Sequence, residues 1–249
     1  EPEEVEEPEE VEDTEIVTSD ISPVLDEEAS NDEEEVDTEP LTSDDGQNYD
    51  EYSDVTVSMS SISSNDVRGG RSDSGKRSGL NRFGGSAKGQ AALKDALKWL
   101  KSVQNPDGSW GSNSGTDSAL TGLALLTYLA HGETPASRNY GSCVKKSIQW
   151  LLKHDITNYG KNGYAHSIKS YALAEAYAMT QNSSIVPYLK QCMKIIIDGM
   201  NDSGSFDYGY KKEGKRDDLS LAGWNYQAMK ACYATDIDVP GLEESIRKG

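Results

Sequence analysis

Three polar side chains capable of acid–base or ligand-binding chemistry recur at similar places along the chain. Asp117, His166 and Asp218 each stand near the start of an apolar segment that we predict to be a helix. Carboxylates and imidazoles bind polar ligands and transfer protons, but Asp also caps helices and a buried His is often structural. We therefore assign these residues to ligand binding and none to catalysis.

Three aromatic residues lie within the same predicted helices. Tyr171, Trp224 and Tyr226 could line an apolar pocket, although aromatic side chains on helices also pack in protein cores. The pocket interpretation places them beside the polar residues at the helix starts. The predicted substrate-binding residues are therefore Asp117, His166, Tyr171, Asp218, Trp224 and Tyr226.

The residue types that usually bind metals or phosphates are scattered. Cys143, Cys192 and Cys232 have no Cys-x-x-Cys spacing, and no two of the three His share the spacing of zinc ligands. The Gly-rich stretches do not match a phosphate-binding loop. We predict neither a metal nor another cofactor.

The negative charge of the chain is concentrated near its start. The 249 residues carry a formal net charge of −19. Residues 1–67 hold 26 acidic residues and neither Lys nor Arg, whereas the remainder holds 17 acidic and 24 basic residues, a net charge of +7. Like charges repel, and the few apolar residues cannot offset the entropy of ordering. We predict that residues 1–67 are disordered.

A change of composition follows the acidic segment. Residues 68–87 are rich in Gly, Ser and Arg, which is typical of a flexible linker. One Arg-Gly-Gly and one aromatic residue, Phe83, are a weak signal for single-stranded nucleic acid. The overall negative charge opposes nucleic-acid binding, and we predict no nucleic-acid partner.

Residues 88–249 are predicted to form paired helices. Amphipathic helices alternate with helices that are apolar almost all round. Because a helix without a polar face is buried by its neighbours, the second kind should form an inner layer. The predicted inner helices are residues 117–131, 165–180 and 217–234.

The helix pairs repeat with a period near 50 residues, which indicates an α-helical repeat array. Small residues at the repeated position, such as Cys143 and Cys192, are predicted to lie at helix–helix contacts. The same position in successive amphipathic helices is occupied by Ala92-Leu-Lys94, Cys143-Val-Lys145, Cys192-Met-Lys194 and Ser245-Ile-Arg247. The turns that follow contain Gly108-Ser-Trp110, Gly163-Tyr164 and Gly204-Ser-Phe206.

One motif in the first repeat is specific. An aromatic–aliphatic pair, Trp99-Leu100, is followed by Gln104, a short turn, Gly108 and Trp110. The motif resembles the QW repeat of the terpene cyclase and protein prenyltransferase superfamily. About 160 residues, 88–249, are similar to bacterial squalene-cyclase-like or prenyltransferase-like repeat proteins, although the later copies of the motif are degenerate.

The resemblance implies an all-α fold, namely an α/α toroid in which inner and outer helices surround a cavity. About three helix pairs would form an incomplete ring, so further repeats after Gly249 or self-association would cover the inner face. The motif would act as a structural staple, with Gln bonded to backbone groups and Trp packed across the turn. The staple residues would be Trp99, Gln104, Gly108 and Trp110.

Enzymes of this superfamily carry acidic or zinc-binding motifs that residues 88–249 lack. Asp236-Ile-Asp238-Val239 fails to complete a DxDD motif, and Asp217-Asp218 does not continue as DDxxD. No Asp-x-Cys of a zinc triad occurs there. Whether the protein is an enzyme therefore stays open, since a catalytic motif could lie outside this chain.

Three functions are compatible with these observations. The first is a non-catalytic, coenzyme-free toroid repeat module that binds an apolar small molecule or a protein segment, on an acidic tether. The second is a terpene cyclase- or prenyltransferase-like enzyme whose catalytic motif lies outside this chain. The third is a polysaccharide-active or glycan-binding toroid, because helical toroids with aromatic clefts also act on polysaccharides.

The predicted partners follow from the first function. They are an apolar or isoprenoid-like ligand, or a protein partner or second copy that covers the inner face. No apolar run approaches the roughly 18 residues that span a bilayer, so membrane association would need an anchor outside this chain. Such an anchor, N-terminal to Glu1, would place the protein at the cell envelope, and otherwise it would be cytoplasmic.

Overall fold

The computed structural model describes residues 69–249, apart from residues 113–114, 158, 160–162 and 215. The predicted disordered segment, residues 1–67, lies outside the described residues. Within the described residues the structure has one 3-10 turn, eight α-helices and no β-strand. The all-α prediction is confirmed.

The helices follow the predicted order closely, because their apolar periodicity is a local property of the sequence. The three predicted inner helices begin and end within about two residues of the predicted positions. The helices are α1 (Asp73–Phe83), α2 (Ala87–Ser102), α3 (Asp117–His131), α4 (Gly141–Lys153), α5 (Tyr164–Thr180), α6 (Ile185–Gly199), α7 (Leu219–Tyr233) and α8 (Leu242–Lys248).

The helices pack in two layers. In the inner layer α5 lies between α3 and α7, and in the outer layer α4 packs on α3 and α5 while α6 packs on α5 and α7. The middle helix α5 is buried along almost its whole length, whereas α4 and α6 each bury one stripe. This difference explains the sequence pattern, since only a helix with neighbours on several sides can be apolar all round.

Small residues lie at the contacts between the layers, as the repeat alignment predicts. Cys143 on α4 and Cys192 on α6 are buried, and neither forms a disulfide. Burial raises the pKa of both thiols because the charged thiolate is poorly solvated there. Both side chains act in packing.

The turns of the first and third repeats have the same backbone geometry. Asn105 N–H donates to the carbonyl of Ser109, and Asn201 N–H donates to the carbonyl of Ser205. In each turn the glycine N–H donates a hydrogen bond to the asparagine carbonyl. The predicted correspondence between these two turns is therefore confirmed atom by atom.

Both turn glycines lie against the outer helix of the next repeat. A Cβ on Gly108 would lie 2.6 Å from the backbone of Lys146 on α4, and one on Gly204 would lie 3.1 Å from the carbonyl oxygen of Lys248 on α8. Both glycines have positive φ, 96° and 83°. Only glycine combines this conformation with so close an approach.

Gln104, Gly108 and Trp110 join the first turn to the helices on either side of it. The Gln104 side-chain amide donates to the carbonyls of Gly108 and Cys143, which joins the turn to α4. Trp110 is 5% exposed, and its indole N–H donates to the carbonyl of Leu100 near the end of α2. The bond to Leu100 satisfies a carbonyl that the end of α2 leaves without an intrahelical partner.

Trp99, the fourth residue of the predicted staple, lies apart from these contacts. Its side chain is 64% exposed on α2. The corresponding Trp150 on α4 donates its indole N–H to Asp107, in the turn of the preceding repeat, and stacks on His154. Within the described residues no preceding repeat supplies such a turn to α2, so Trp99 remains at the edge of the array.

The described part of the predicted linker (68–87), residues 69–87, contains regular structure. Residues 69–83 form the 3-10 turn and α1, whose first turn is capped by the Ser72 hydroxyl through the Gly75 N–H. Arg71 and Lys76 tie this segment to the inner helices. Contacts with distant residues thus order a segment whose composition favours flexibility.

We expect Gly108→Ala to lower the free energy of unfolding by roughly 2–4 kcal/mol, because it combines positive φ with a clash against α4. The matched control is Gly115→Ala. Gly115 has φ of 78° but nothing within 4 Å of its Cβ position, so that variant should lose only roughly 1 kcal/mol. Urea unfolding measures both. Equal losses would contradict the role assigned to the close approach.

Candidate ligand-binding groove

A groove of about 410 Å³ runs between α5 and α7 on the inner layer. Tyr171 lines it, and the ring of Trp224 lies 6.5 Å from the Tyr171 ring, centroid to centroid. Gly223 leaves it open, since nothing lies within 4 Å of the Gly223 Cβ position. The lining residues are Tyr171, Glu175, Gly223, Tyr226, Gln227, Lys230, Ala231 and Ala234.

Helical spacing brings the lining residues to one face. Tyr171 and Glu175 are four residues apart on α5, and Gly223, Gln227 and Lys230 follow at intervals of four and three on α7. Residues at these intervals lie one above another on a helix. The groove thus combines an aromatic ring, an acidic group, an amide and an ammonium group along two adjacent helices.

Glu175 forms a buried ion pair at this groove. The Arg71 guanidinium donates to its carboxylate at 2.6 Å, and the exposed fractions of the two side chains are 24% and 7%. The same Nη1 of Arg71 lies 3.4 Å from the sulfur of Met179. A charge-assisted hydrogen bond of this kind compensates the cost of burying a carboxylate.

The predicted residue Asp218 is the centre of a second polar cluster, at the start of α7. Its carboxylate accepts hydrogen bonds from the Leu221 N–H at 2.8 Å and from the Tyr208 hydroxyl at 2.7 Å. The hydroxyls of Ser220 and Tyr164 also donate to it. Asp218 therefore caps α7 and joins that helix to the start of α5.

These bonds determine the protonation state of Asp218. The Ser220 hydroxyl, the Leu221 N–H and the Tyr208 hydroxyl hold the pKa of this carboxyl well below its usual range. The Arg216 guanidinium stacks 4.6 Å from the centre of the Tyr208 ring. Asp218 is thus an ionised hydrogen-bond acceptor at neutral pH and is poorly suited to donating a proton.

Asp117 occupies the first turn of α3, where the helix dipole favours a negative charge. Its side chain is buried, and its carboxylate lies so close to Gly111 that a Cβ there would be 2.2 Å from Oδ1. Gly111 has φ of 130°. Asp117 therefore packs against the turn that precedes α3.

His166 is completely buried between α5 and α6. Its Nε2 lies 3.1 Å from the carbonyl oxygen of Cys192, so the neutral tautomer with hydrogen on Nε2 donates this bond. Burial lowers the pKa of His166 to about 3, and the charge of Lys169 adds to the effect. His166 thus makes for α6 the bond that Gln104 makes for α4.

The buried Lys169 is also structural. Its ammonium group donates to the carbonyl of Asp155 at 3.1 Å, just after the end of α4. Burial lowers the pKa of Lys169, because the charged form loses solvation. A cation at the C-terminal end of a helix is favoured by the exposed carbonyls there.

Tyr226 lines the groove, and its side chain also contacts the third turn. Its hydroxyl donates to the carbonyl of Gly204 at 2.9 Å, and its ring packs edge-on against Phe206. Of the six predicted residues, the structure brings Tyr171, Trp224 and Tyr226 to the α5–α7 region. Asp117, His166 and Asp218 each engage a different set of neighbours.

Several residues of the site were missed from the sequence. Arg71 fell in the segment predicted to be a linker, Tyr164 was predicted only as part of a repeated turn, and Tyr208 carries no recognisable motif. Glu175 had a usable signal, since Lys169 and Glu175 are the only charged residues in the otherwise apolar or small α5. A charge in a buried helix predicts a specific partner.

Two further searches concern the described part of the chain. There, no three His, Cys, Asp or Glu side chains are arranged to hold a metal ion. Among the same residues, no helix is both long and apolar enough to cross a membrane. Comparisons of the chain with protein-family models, curated proteins and solved structures find no match.

We expect His166 to make the folded state less stable at acidic pH. The unfolded chain binds a proton at this residue near pH 6.5, whereas the folded protein binds it only near pH 3. Between these values the unfolded state holds more protons, so stability falls as pH falls.

The variant His166→Gln keeps a side-chain N–H donor but cannot titrate. Relative to this variant, the native protein should lose roughly 2 kcal/mol of unfolding free energy between pH 7 and pH 5. Urea unfolding at the two pH values measures the difference. Parallel pH profiles for the two proteins would show that His166 is not held neutral by burial.

Proposed function

We propose that residues 88–249 form a non-catalytic repeat module of the α/α toroid kind that binds its ligand in the groove between α5 and α7. The ligand is a protein segment with apolar side chains or, alternatively, an apolar small molecule. The observation that supports this proposal is the open groove itself, which is lined by Tyr171 and left unfilled at Gly223.

The lining favours a protein segment. Tyr171 offers apolar surface with a polar hydroxyl, as aromatic residues at protein interfaces commonly do. Glu175, Gln227 and Lys230 add charged and amide groups along the same groove. An extended or helical segment with mixed side chains matches such a lining better than a purely apolar molecule does.

The predicted polar residues are poorly suited to proton transfer. Asp218 is held ionised by several donors, and His166 is held neutral and fully buried against Cys192. An acid catalyst needs a pKa near the working pH and access to the substrate. These two groups instead join helices to one another.

We expect Gly223→Leu to abolish ligand binding without unfolding the protein, because the new side chain enters open space in the groove and leucine favours helix. Two probes test this expectation. Short peptides are selected from a random phage-displayed library on the native protein, and the isoprenoid alcohol farnesol is titrated while tryptophan fluorescence is recorded. Binding should weaken at least about tenfold in the variant.

The matched control is Gly79→Leu on α1, where nothing lies within 4 Å of the Cβ position either. This variant should bind the probes as the native protein does. Peptides or farnesol that bind Gly223→Leu and the native protein equally well would refute the proposed groove. Loss of binding only in Gly79→Leu would place the ligand between α1, α2 and α3 instead.

A further inference from the structure

The Arg71 guanidinium is bound to the carboxylate of Glu175, which lines the groove between α5 and α7. The two residues of the ion pair are 104 positions apart in the sequence, and Arg71 lies in the 3-10 turn before α1. Glu175 is 5% exposed and lines the groove between α5 and α7. A guanidinium group from a separate segment is therefore already bound to a carboxylate that lines the site that we propose to bind a ligand.

The geometry around the guanidinium is selective. The Arg71 Nη1 lies 2.6 Å from the Glu175 carboxylate and 3.4 Å from the Met179 sulfur, which is on the same face of α5. Arginine presents several donors in a planar group that is weakly hydrated, whereas the lysine ammonium is compact and strongly hydrated. A buried carboxylate beside a polarizable sulfur favours the former.

The segment that carries Arg71 also contacts the end of α3. The Arg71 carbonyl lies against Gly132, where a Cβ would be 2.2 Å away, and the Lys76 ammonium donates to the carbonyl of His131 at the end of α3. We call residues 69–83, which include these two cations, the strap. Lys76 is a cation at the C-terminal end of α3, where negative carbonyl charge accumulates, and Arg71 bonds to a carboxylate within α5.

A groove of about 1030 Å³ separates α1 from α2 and α3, and Phe83 at the end of α1 is 79% exposed. The aromatic side chain at the end of the strap therefore adds little burial of apolar surface, which is the main source of binding free energy between protein segments. Another segment that places a guanidinium on Glu175 can compete with it.

We propose that Glu175 is a guanidinium-binding subsite, that Arg71 fills it as an intramolecular substitute, and that the ligand is a protein segment carrying an arginine in a Gly- and Ser-rich stretch. This inference rests on the proposed function, because it names the ligand class of the same groove. The strap then lowers the apparent affinity of the protein for this ligand, because the ligand binds only those molecules in which Arg71 has left Glu175.

The experiment uses the strap sequence itself as a ligand. A fluorescein-labelled peptide of residues 69–83 is titrated against the full chain while fluorescence anisotropy is recorded. Arg71→Ala in the protein removes the internal competitor, so the peptide should bind this variant about tenfold or more tightly than it binds the native protein. A peptide with Ala in place of Arg71 should not bind.

Matched variants isolate the ion pair. Glu175→Gln, added to Arg71→Ala, should abolish peptide binding. Arg77→Ala, which removes an exposed arginine from α1, should leave the native behaviour unchanged. If circular dichroism shows that Arg71→Ala loses helix, Arg71→Lys takes its place. This variant should bind the peptide more tightly than the native protein does, because lysine competes less well than arginine for Glu175.

The outcomes separate this inference from the proposed function. Equal binding of the arginine and alanine peptides, or no gain of affinity in Arg71→Ala and Arg71→Lys, overturns the guanidinium subsite. If the display-selected peptides still depend on Gly223, the groove remains a binding site for another ligand class. Loss of both responses overturns both proposals. Dimers formed by exchange of the strap, detected by light scattering, would overturn a separate partner as the ligand.

Discussion

The close approach of the first and third turns to the outer helix that follows is the contact on which the rest of the structure depends. Gly108 lies against α4 and Gly204 lies against α8, so each of these turns is held close to the next repeat. The hydrogen bonds of Gln104 to Gly108 and Cys143 hold that distance in the first repeat. Because the layers are set in this way, the inner helices can pack side by side and bury α5 between them.

Because α5 is buried, its polar side chains need hydrogen-bond partners within the protein. His166 bonds to the carbonyl of Cys192, Lys169 to the carbonyl of Asp155, and Glu175 to Arg71. Two of these bonds join α5 to backbone groups of neighbouring elements. The third reaches a segment outside the helix pairs. A buried polar group left without a partner would cost several kcal/mol at most sites, so each bond constrains the packing.

The groove between α5 and α7 follows from this arrangement and from a missing side chain. Two adjacent inner helices leave a furrow wherever a small residue occurs, and Gly223 supplies one beside Tyr171. Arg71 of the strap bonds to Glu175, which lines this furrow. The carboxylate that Arg71 binds in the fold is therefore the same one that we propose as the anchor for a competing cation.

The sequence by itself determined the helices, their alternation in two layers and the turns at Gly108 and Gly204, because apolar periodicity and turn residues act over a few neighbouring positions. The sequence also pointed to Tyr171 and Trp224, which the structure brings together, although no sequence motif marks the groove. Only the tertiary structure decided that Trp99 is exposed, that residues 69–83 are ordered and that Arg71 meets Glu175. These outcomes depend on which distant surfaces touch, and no local pattern records a contact between residues 104 positions apart.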